Sequence, residues 1–223
     1  MKIRNLICIL IMLAALPAFA QVNIQKISHW LVLGPAEILA NGAALPAGEE
    51  AALEYDFLSV ALLRPQVGLK AQWSTQHQLT WQPGAARFAG STGKQVVYLA
   101  VYLESQRWLQ TELIVDSAFP LRVYFDGAAL PQPASGGKEA GKNSYQLTLA
   151  NGKHLLLIKG ILPAGADKNH ALQASLKNKP AFSVDPVALS LTVDRRTSME
   201  DVLNTVNIDD VFLAPDGSKV AVA

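Results

Sequence analysis

Histidine is the residue type in this chain that most readily serves as a general base or a zinc ligand. The four histidines are His29, His77, His154 and His170, and no His-x-x-x-His or Glu-x-x-His pair occurs among them. Metal sites need ligands that cluster at short, regular spacings. We therefore predict a structural or surface role for each histidine, with no metal and no cofactor.

Three short segments combine residue types that serve in catalysis or ligand binding. Gly90-Ser91-Thr92-Gly93 lacks the Gly-x-Ser-x-Gly spacing of a hydrolase nucleophile, and Ser135-Gly136-Gly137-Lys138 lacks the spacing of a phosphate-binding loop. Asp167-Lys168-Asn169 offers oxygen ligands without the repeated acidic spacing of a calcium loop. The sequence therefore predicts no catalytic residue, and we expect the chain as it stands not to be an enzyme.

Aromatic side chains provide the other candidate site. Trp73, His77 and Trp81 recur every four residues, and together with Trp108 they could line a platform on which sugars stack. The alternative is that the indoles fill the core of a β-sandwich, where aromatic side chains contribute large buried areas. We favour the core, and the ligand-binding residues are left unassigned.

The first twenty residues have the pattern of a secretory signal peptide. Lys2 and Arg4 precede an apolar run, Leu6–Ala20, which ends in the small-x-small sequence Ala18-Phe19-Ala20. The run is shorter than the roughly 20 residues that span a bilayer, so cleavage at its end is favoured over a membrane anchor. We predict a periplasmic or extracellular protein with no membrane association after cleavage. Cys8 lies in this segment, so the mature chain has no thiol.

The composition excludes several classes of protein. Of the 223 residues, 50% are hydrophobic and 17% are charged, and the formal net charge is +1. The hydrophobic fraction is sufficient for a sizeable core, and the near-zero net charge gives no electrostatic footprint for nucleic acid. We expect a folded domain with no nucleic-acid partner.

The mature chain opens with a short strand pattern. His29–Leu33 is an apolar run that predicts a buried strand, and Gly34-Pro35 predicts the turn that ends it. The stretch that follows has no clear period. Asn41-Gly42, Pro46 and Gly48 predict loops there.

The middle of the chain has the strongest strand signals. Gln95–Leu103 and Leu109–Val115 are dense in β-branched and apolar residues, which predicts two strands buried on both faces. Leu121–Phe125 alternates apolar with polar residues, the pattern of a strand with one face toward a core. Asp126-Gly127 then predicts a type I′ hairpin turn, whose two central residues need positive φ.

The same pattern returns downstream. Tyr145–Leu149 alternates, Asn151-Gly152 predicts a turn, and His154–Lys159 predicts the returning strand. Leu172–Leu176 is a further strand candidate. Short strands at this spacing, with scarcely any helical periodicity, predict an antiparallel sandwich or barrel over residues 21–185.

The pattern changes near residue 180. Val187–Val193 is another strand candidate, and a capping-box spacing predicts a short helix over Ser198–Asn204, within a linker that spans residues 186–206. In residues 207–223, Val211–Leu213 and Lys219–Ala223 flank the turn signal Pro215–Ser218. These last residues predict a separate hairpin.

Four segments of the chain resemble known families. His29–Pro35 resembles the opening of an accessory β-sandwich in some secreted bacterial hydrolases. Leu121–Gly127 and Leu149–Lys159 resemble galactose-binding-like jelly rolls, although Asp126 stands where that pattern more often has Asn. Ala214–Val222 is similar to the blade motif of TolB-like and WD-repeat β-propellers. In this order the segments resemble the N-terminal part of a prolyl-oligopeptidase-family serine peptidase.

The resemblance implies a fold class and a function. The fold would be mainly β, an antiparallel jelly-roll-like sandwich followed by a partial β-propeller blade. The family carries its catalytic serine in a C-terminal hydrolase domain, so we expect this chain to be a non-catalytic accessory module and a fragment of a longer peptidase. Its partners would be the missing propeller and hydrolase domains. The alternative is a carbohydrate-binding module, with a glycan or a peptide as ligand.

Overall fold

Almost every element in the described part of the chain is a β-strand. The computed structural model describes residues 23–38, 49–74, 77–131, 141–165, 169–178, 187–193, 211–213 and 220–222. The strands are β1 (Asn23–Ile27), β2 (Trp30–Glu37), β3 (Lys70–Gln72), β4 (Gln78–Thr80), β5 (Gln82–Gly84), β6 (Arg87–Phe88), β7 (Gln95–Ser105), β8 (Leu109–Ser117), β9 (Leu121–Phe125), β10 (Ala128–Ala129), β11 (Gly141–Leu149), β12 (Gly152–Leu162), β13 (His170–Asn178), β14 (Ala188–Ser190), β15 (Val211–Leu213) and β16 (Val220–Val222). Helix α1 spans Glu49–Glu54, and a 3₁₀ turn spans Val60–Leu62.

The long strands form two antiparallel sheets. Sheet A has the order β1-β13-β8-β11, with β6 beside β13. Sheet B has the order β10-β9-β12-β7-β2-β5, with β14 beside β7. The described residues therefore form a mainly β, sandwich-like fold, and they contain no propeller. The antiparallel sandwich predicted from the sequence is confirmed at this level.

The main core lies between the two sheets. Alternate residues of the long strands supply it, for example Leu113 and Val115 of β8 and Leu99 and Val101 of β7. Sheet A is buried on this face alone, so β11 alternates strictly between buried and exposed side chains. The prediction that Leu109–Val115 is buried on both faces is wrong, because the outward side chains of β8 face solvent or are only half-buried.

Sheet B has a second core on its outer face. The other set of alternate residues in β7, including Tyr98 and Ala100, packs there against residues of α1, the 3₁₀ turn and the segment that follows. We call residues 49–81 the cover. Because both faces of sheet B are buried, Gln95–Leu103 has a continuous apolar sequence, and its predicted burial on both faces is confirmed.

The chain alternates between the sheets along much of its length. β7 lies in sheet B, β8 in sheet A, β9 in sheet B, β11 in sheet A, β12 in sheet B and β13 in sheet A. Asn151-Gly152 therefore turns the chain from one sheet to the other, and β12 pairs with β7 and β9. The predicted turn and the strand over His154–Lys159 are confirmed, while the sheet that this strand joins is not specified by a local turn signal.

The hairpin turn at Asp126-Gly127 is confirmed. It joins β9 to β10, and both central residues have positive φ, 49° for Asp126 and 83° for Gly127. A Cβ atom at Gly127 would lie 2.9 Å from Cα of Ala61 in the cover. Glycine is required here by its backbone conformation and by the close approach of the cover.

The early part of the chain differs from its prediction. Gly34-Pro35 does not end the strand, since β2 continues to Glu37 with a shift of register between Leu33 and Ala36. The non-periodic stretch that follows contains α1, the 3₁₀ turn and β3 to β6, none longer than six residues. Elements this short complete no recognisable period, which explains why the sequence pattern did not reveal them.

The chain divides into two compact units, residues 1–193 and 194–223. In the first, β14 pairs with β7, so the sandwich continues past the boundary predicted at residue 185, and the strand predicted over Val187–Val193 is confined to Ala188–Ser190. In the second, β15 and β16 pair as an antiparallel hairpin, as predicted.

Several predicted features lie outside the described residues. They are the signal peptide over residues 1–20, the loops at Asn41-Gly42, Pro46 and Gly48, the short helix over Ser198–Asn204 and the turn Pro215–Ser218.

Candidate functional site

The most unusual side chain in the described residues is a buried lysine in the middle of β12. Lys159 pairs with Tyr98 of β7 on one side and with Arg122 of β9 on the other, so three polar side chains share one row of sheet B. The row points outward, toward the cover, because Leu157 and Ile161 on the same face of β12 belong to the second core. Lys159 is 1% exposed. A lysine this deeply buried requires partners for its charge.

The partners of Lys159 are backbone carbonyls at the end of α1. Its Nζ donates hydrogen bonds to the carbonyl oxygens of Ala52 at 2.6 Å, Leu53 at 3.0 Å and Tyr55 at 2.6 Å. The same Nζ lies 4.6 Å from the centroid of the Phe57 ring. Carbonyls at a helix C-terminus have no partner within the helix and carry partial negative charge. We call this arrangement of three carbonyls and one ring the carbonyl cage.

Two acidic residues stand next to the carbonyl cage. Glu54 forms an ion pair with Arg122. The carboxylate of Asp56 accepts hydrogen bonds from the backbone N–H groups of Leu58, at 3.3 Å, and Val60, at 3.1 Å. These bonds fix the turn between α1 and the 3₁₀ turn, and thereby hold the Tyr55 carbonyl where Lys159 meets it.

The environment shifts the ionisation of several groups in this region. Burial lowers the pKa of Lys159 to about 7, while the carboxylates of Asp56 and Glu54 oppose that shift and Arg122 adds to it. Burial also raises the pKa of Tyr98 far above its ordinary value. Among the described residues, the buried Tyr98 hydroxyl and the buried Trp81 Nε1 have no hydrogen-bond partner. Lys159 therefore stands among buried groups that have little access to water.

The geometry of the carbonyl cage gives Lys159 a structural role. A perturbed pKa in a lysine often marks a nucleophile or a general base. Here the three N–H donors of the ammonium form are matched by three carbonyl oxygens, so the ammonium has no donor left for a substrate. Lys159 fastens α1 to sheet B.

The second polar cluster is a histidine–aspartate pair at the β9–β10 hairpin. Asp126 Oδ2 lies 2.7 Å from Nδ1 of His154, and Asp126 Oδ1 accepts the backbone N–H of Leu155 at 2.8 Å. The imidazole stacks on Phe125, and its Nε2 faces the carbonyl oxygen of Ala150 at 3.2 Å. Because both ring nitrogens face acceptors, His154 ties the hairpin to β12 and presents no free nitrogen to a substrate.

The other histidines lie apart from this pair. His29 and His77 are exposed and contact the nearby hydroxyls of Ser28, at 2.9 Å, and Ser74, at 3.2 Å. His170 is buried against the ring of Phe119. Within the described ranges, no three His, Cys, Asp or Glu side chains are grouped as a metal site would require.

The structure does not assemble the tryptophan platform. Trp73 and Trp81 are buried in the second core, while His77 is exposed and Trp108 is 56% exposed. The four-residue spacing of the first three belongs to the β3–β4 hairpin, in which Trp73 N–H bonds to the carbonyl of His77 at 2.9 Å. The favoured core role is confirmed for Trp73 and Trp81, although their core is the outer one of sheet B and not the one between the sheets. For Trp108 the core role is wrong, because its side chain is exposed.

The three short segments singled out in the sequence, at Gly90–Gly93, Ser135–Lys138 and Asp167–Asn169, provide no candidate site in the described residues. Gly90–Gly93 is a loop in which the Ser91 carbonyl accepts the N–H of Gly165 at 2.7 Å. Ser135–Lys138 lies outside the described residues, as do Asp167 and Lys168 of the third segment.

The carbonyl cage was not predicted from the sequence. One signal was present, because Lys159 is the charged residue within the otherwise apolar run Leu155–Leu162. A lysine placed among core positions predicts a buried partner. Its partners lie more than 100 residues earlier in the chain, and no local pattern identifies them.

Comparison with known proteins adds no relative: the chain matches no protein-family model, and no curated protein is significantly similar to it. In the described residues, no helix is long and apolar enough to cross a membrane.

Proposed function

We propose that the chain is a non-catalytic accessory module of a secreted or periplasmic prolyl-oligopeptidase-type serine peptidase. The observation that carries the proposal is the order of its two units, a β-sandwich followed by a separate hairpin, β15–β16. That hairpin is the one whose sequence resembles a propeller blade, and the sandwich contains the segments that resemble a galactose-binding-like jelly roll.

The path of the chain supports the jelly-roll resemblance. Consecutive strands from β7 to β9 and from β11 to β13 alternate between the two sheets, as they do in double-sheet jelly rolls. A fold does not specify a function, so the peptidase assignment depends on the sequence resemblance and on the order of the units.

The polar clusters support a non-catalytic role for the sandwich. The Lys159 ammonium is occupied by carbonyl oxygens, and both nitrogens of His154 face acceptors. For a lysine or a histidine to act as a general base or a nucleophile, its nitrogen must be free beside the reacting group. The module would therefore serve by packing beside a propeller and restricting access to a peptidase site in the complete protein.

The experiment is to measure the intact mass of the product in its native host and to read the DNA past codon 223. We expect a longer product that contains further propeller blades and a Gly-x-Ser-x-Gly sequence. A secreted product that begins at Gln21 and ends at Ala223 would contradict the accessory role, and would favour an independent binding module.

One observation favours the alternative, a carbohydrate-binding module. Trp108 is 56% exposed in the loop between β7 and β8. The hydroxyl of Ser105 holds this loop by donating to the Arg107 carbonyl at 2.6 Å. An exposed indole on a braced loop is suited to stacking on a sugar face.

The test is a glycan-array screen of the full chain. Binding by this route should fall about tenfold or more in Trp108→Ala and be retained in Trp108→Phe, which keeps an aromatic face. Equal binding by both variants would exclude Trp108 as the platform, and absence of binding by the unmodified chain would exclude this alternative.

A further inference from the structure

The carbonyl cage has the chemistry of a site for a small cation. Its inner surface consists of three carbonyl oxygens and the face of Phe57, all of which attract positive charge. We propose that the cage is a primary-ammonium site which the chain fills with its own Lys159, and that the filled site is the latch holding the start of the cover on sheet B.

The donor count specifies the kind of cation. A primary ammonium has three N–H donors, and the cage has three carbonyl acceptors within 3.0 Å of Nζ. A quaternary ammonium has the same charge and no N–H donor, so it could contact Phe57 but would leave the three carbonyls unpaired. An apolar side chain would leave them unpaired as well.

The surrounding charges favour a cation at this point. Asp56 and Glu54 stand close enough to raise the pKa of Lys159, against the larger effect of burial. Arg122, the nearest other cation in the row, is paired with Glu54. Tyr98 and Tyr124 face the same region, and burial raises the pKa of each, which keeps both hydroxyls neutral.

The position of the cage makes it a latch. Lys159 is fixed at the centre of sheet B, because β12 is paired along its length with β7 and at this point with β9. The three carbonyls belong to α1 and the residue after it, more than 100 residues earlier. One side chain thus joins the beginning of the cover to a strand that is paired on both sides.

The experiment replaces Lys159 by alanine and then adds a small primary ammonium salt that can occupy the vacated cage. In the full chain, Lys159→Ala should lower Tm by about 10 °C, since it leaves three buried carbonyls unpaired and a cavity behind. The amides of residues 51–60 should exchange with deuterium about tenfold or more faster. Propylammonium chloride should restore several degrees of Tm and slow that exchange, because it supplies the missing N–H groups and carbon chain.

The controls separate the cage from general salt and cavity effects. Tetramethylammonium chloride and sodium chloride, at the same ionic strength, should restore neither Tm nor protection. Leu157→Ala on the same face of β12 creates a cavity without removing an ammonium, so propylammonium should not rescue it. All measurements are made at about pH 6, where lysine is protonated.

Each outcome decides the proposal. Selective rescue of Lys159→Ala by propylammonium supports the cage, whereas no rescue, or equal rescue of Leu157→Ala, overturns it. If Lys159→Ala does not fold in sodium chloride, refolding yield is compared in the three salts by the same criteria. Unchanged exchange of residues 51–60 in a folded Lys159→Ala protein would show that the lysine is not a latch.

Discussion

Sheet A and sheet B contain strands of similar length, but their outer faces differ. In sheet A, the outward side chains of β8 and β11 face solvent or are only half-buried, and the strands alternate. In sheet B, the outer face lies beneath the cover, and β7 and β12 are buried on both faces over most of their length. A strand with one covered face alternates between buried and exposed residues, whereas a strand with two covered faces is buried continuously. The pattern of a strand therefore indicates whether one or both of its faces are covered.

The cover also buries backbone carbonyl groups that require hydrogen-bond donors, a requirement that the open face of sheet A does not have. Packing α1 against a sheet buries carbonyls at the end of the helix, and buried polar groups are costly unless they are hydrogen-bonded. Lys159 meets this need from the sheet side. On sheet A, Lys177 and Glu112 pair across strands at 3.2 Å in partial contact with solvent, an arrangement that contributes little stability.

The largest expected effect comes from placing a charge on each outer face. Ala100→Lys puts an ammonium beneath the cover, where Ala100 is 0% exposed, and should cost about 5 kcal/mol or more, or prevent folding. Ser144→Lys places the same charge on the open face of sheet A and should change the free energy of unfolding by less than about 0.5 kcal/mol. Urea denaturation of both variants measures the difference. Similar costs for the two would mean that the cover does not seal sheet B.

The tryptophans give the next largest contrast. Trp81→Ala removes a side chain that is 0% exposed in the second core and should cost about 3–5 kcal/mol. Trp108→Ala removes an indole that is 56% exposed and should change stability by less than about 0.5 kcal/mol. Thermal and chemical unfolding of the two proteins measures both changes. A Trp81→Ala protein as stable as the unmodified chain would show that Trp81 does not fill the second core.

Two glycines test the contact between the cover and the β9–β10 hairpin. Gly127 and Gly68 have nearly the same φ, 83° and 80°. A Cβ at Gly127 meets the backbone of Ala61, whereas one at Gly68 meets nothing within 4 Å. Alanine is strained by the positive φ at both positions. Gly127→Ala should lower the free energy of unfolding by about 1–2 kcal/mol more than Gly68→Ala, because only its Cβ meets the cover. Equal costs would mean that the cover moves aside at Ala61.

The two faces should also differ in how stability depends on pH. The pKa of Lys159 is about 7 in the folded chain, below that of an unfolded lysine, so the unfolded state binds more protons above that pH. Relative to Lys159→Met, the stability of the unmodified chain should therefore rise as pH increases from about 7 toward 10. Stability curves across that range check the slope, and a falling curve would contradict the burial of the charge.

The smallest effect is expected at Glu112 on the open face. A hydrogen bond from Lys177 lowers the pKa of Glu112, so its contribution is present above the ordinary carboxyl pKa and is lost as pH falls. Since the pair is largely solvated, Glu112→Gln should reduce stability by less than about 0.5 kcal/mol near neutral pH and by less in acid. A larger loss would mean that sheet A is covered as well.

Local signals in the sequence predicted local structure well. The alternation in Leu121–Phe125 and the Asp126-Gly127 turn were predictable because they depend on neighbours in the chain. The antiparallel sandwich followed from many such strands taken together. The layer that distinguishes sheet B was not predicted, because its strands and helix are too short to show a period.

The remaining misses concern long-range partners. No feature of Asn151-Gly152 specifies that the following strand joins the other sheet, and nothing near Lys159 identifies carbonyls at Ala52 to Tyr55 as its partners. The spacing of Trp73, His77 and Trp81 could not show that Trp73 and Trp81 lie in the outer core of sheet B while His77 is exposed. These features depend on contacts that only the folded chain defines.

The most direct test of the covered face is iodide quenching of tryptophan fluorescence in the Trp108→Phe protein. In this variant, Trp73 and Trp81 are buried where the cover packs on sheet B, and Trp30 lies in the core between the sheets. We predict that iodide quenches the unmodified chain through Trp108 and leaves the fluorescence of Trp108→Phe nearly unchanged. Strong quenching of the folded Trp108→Phe protein would show that the outer face of sheet B is open, and would contradict the account.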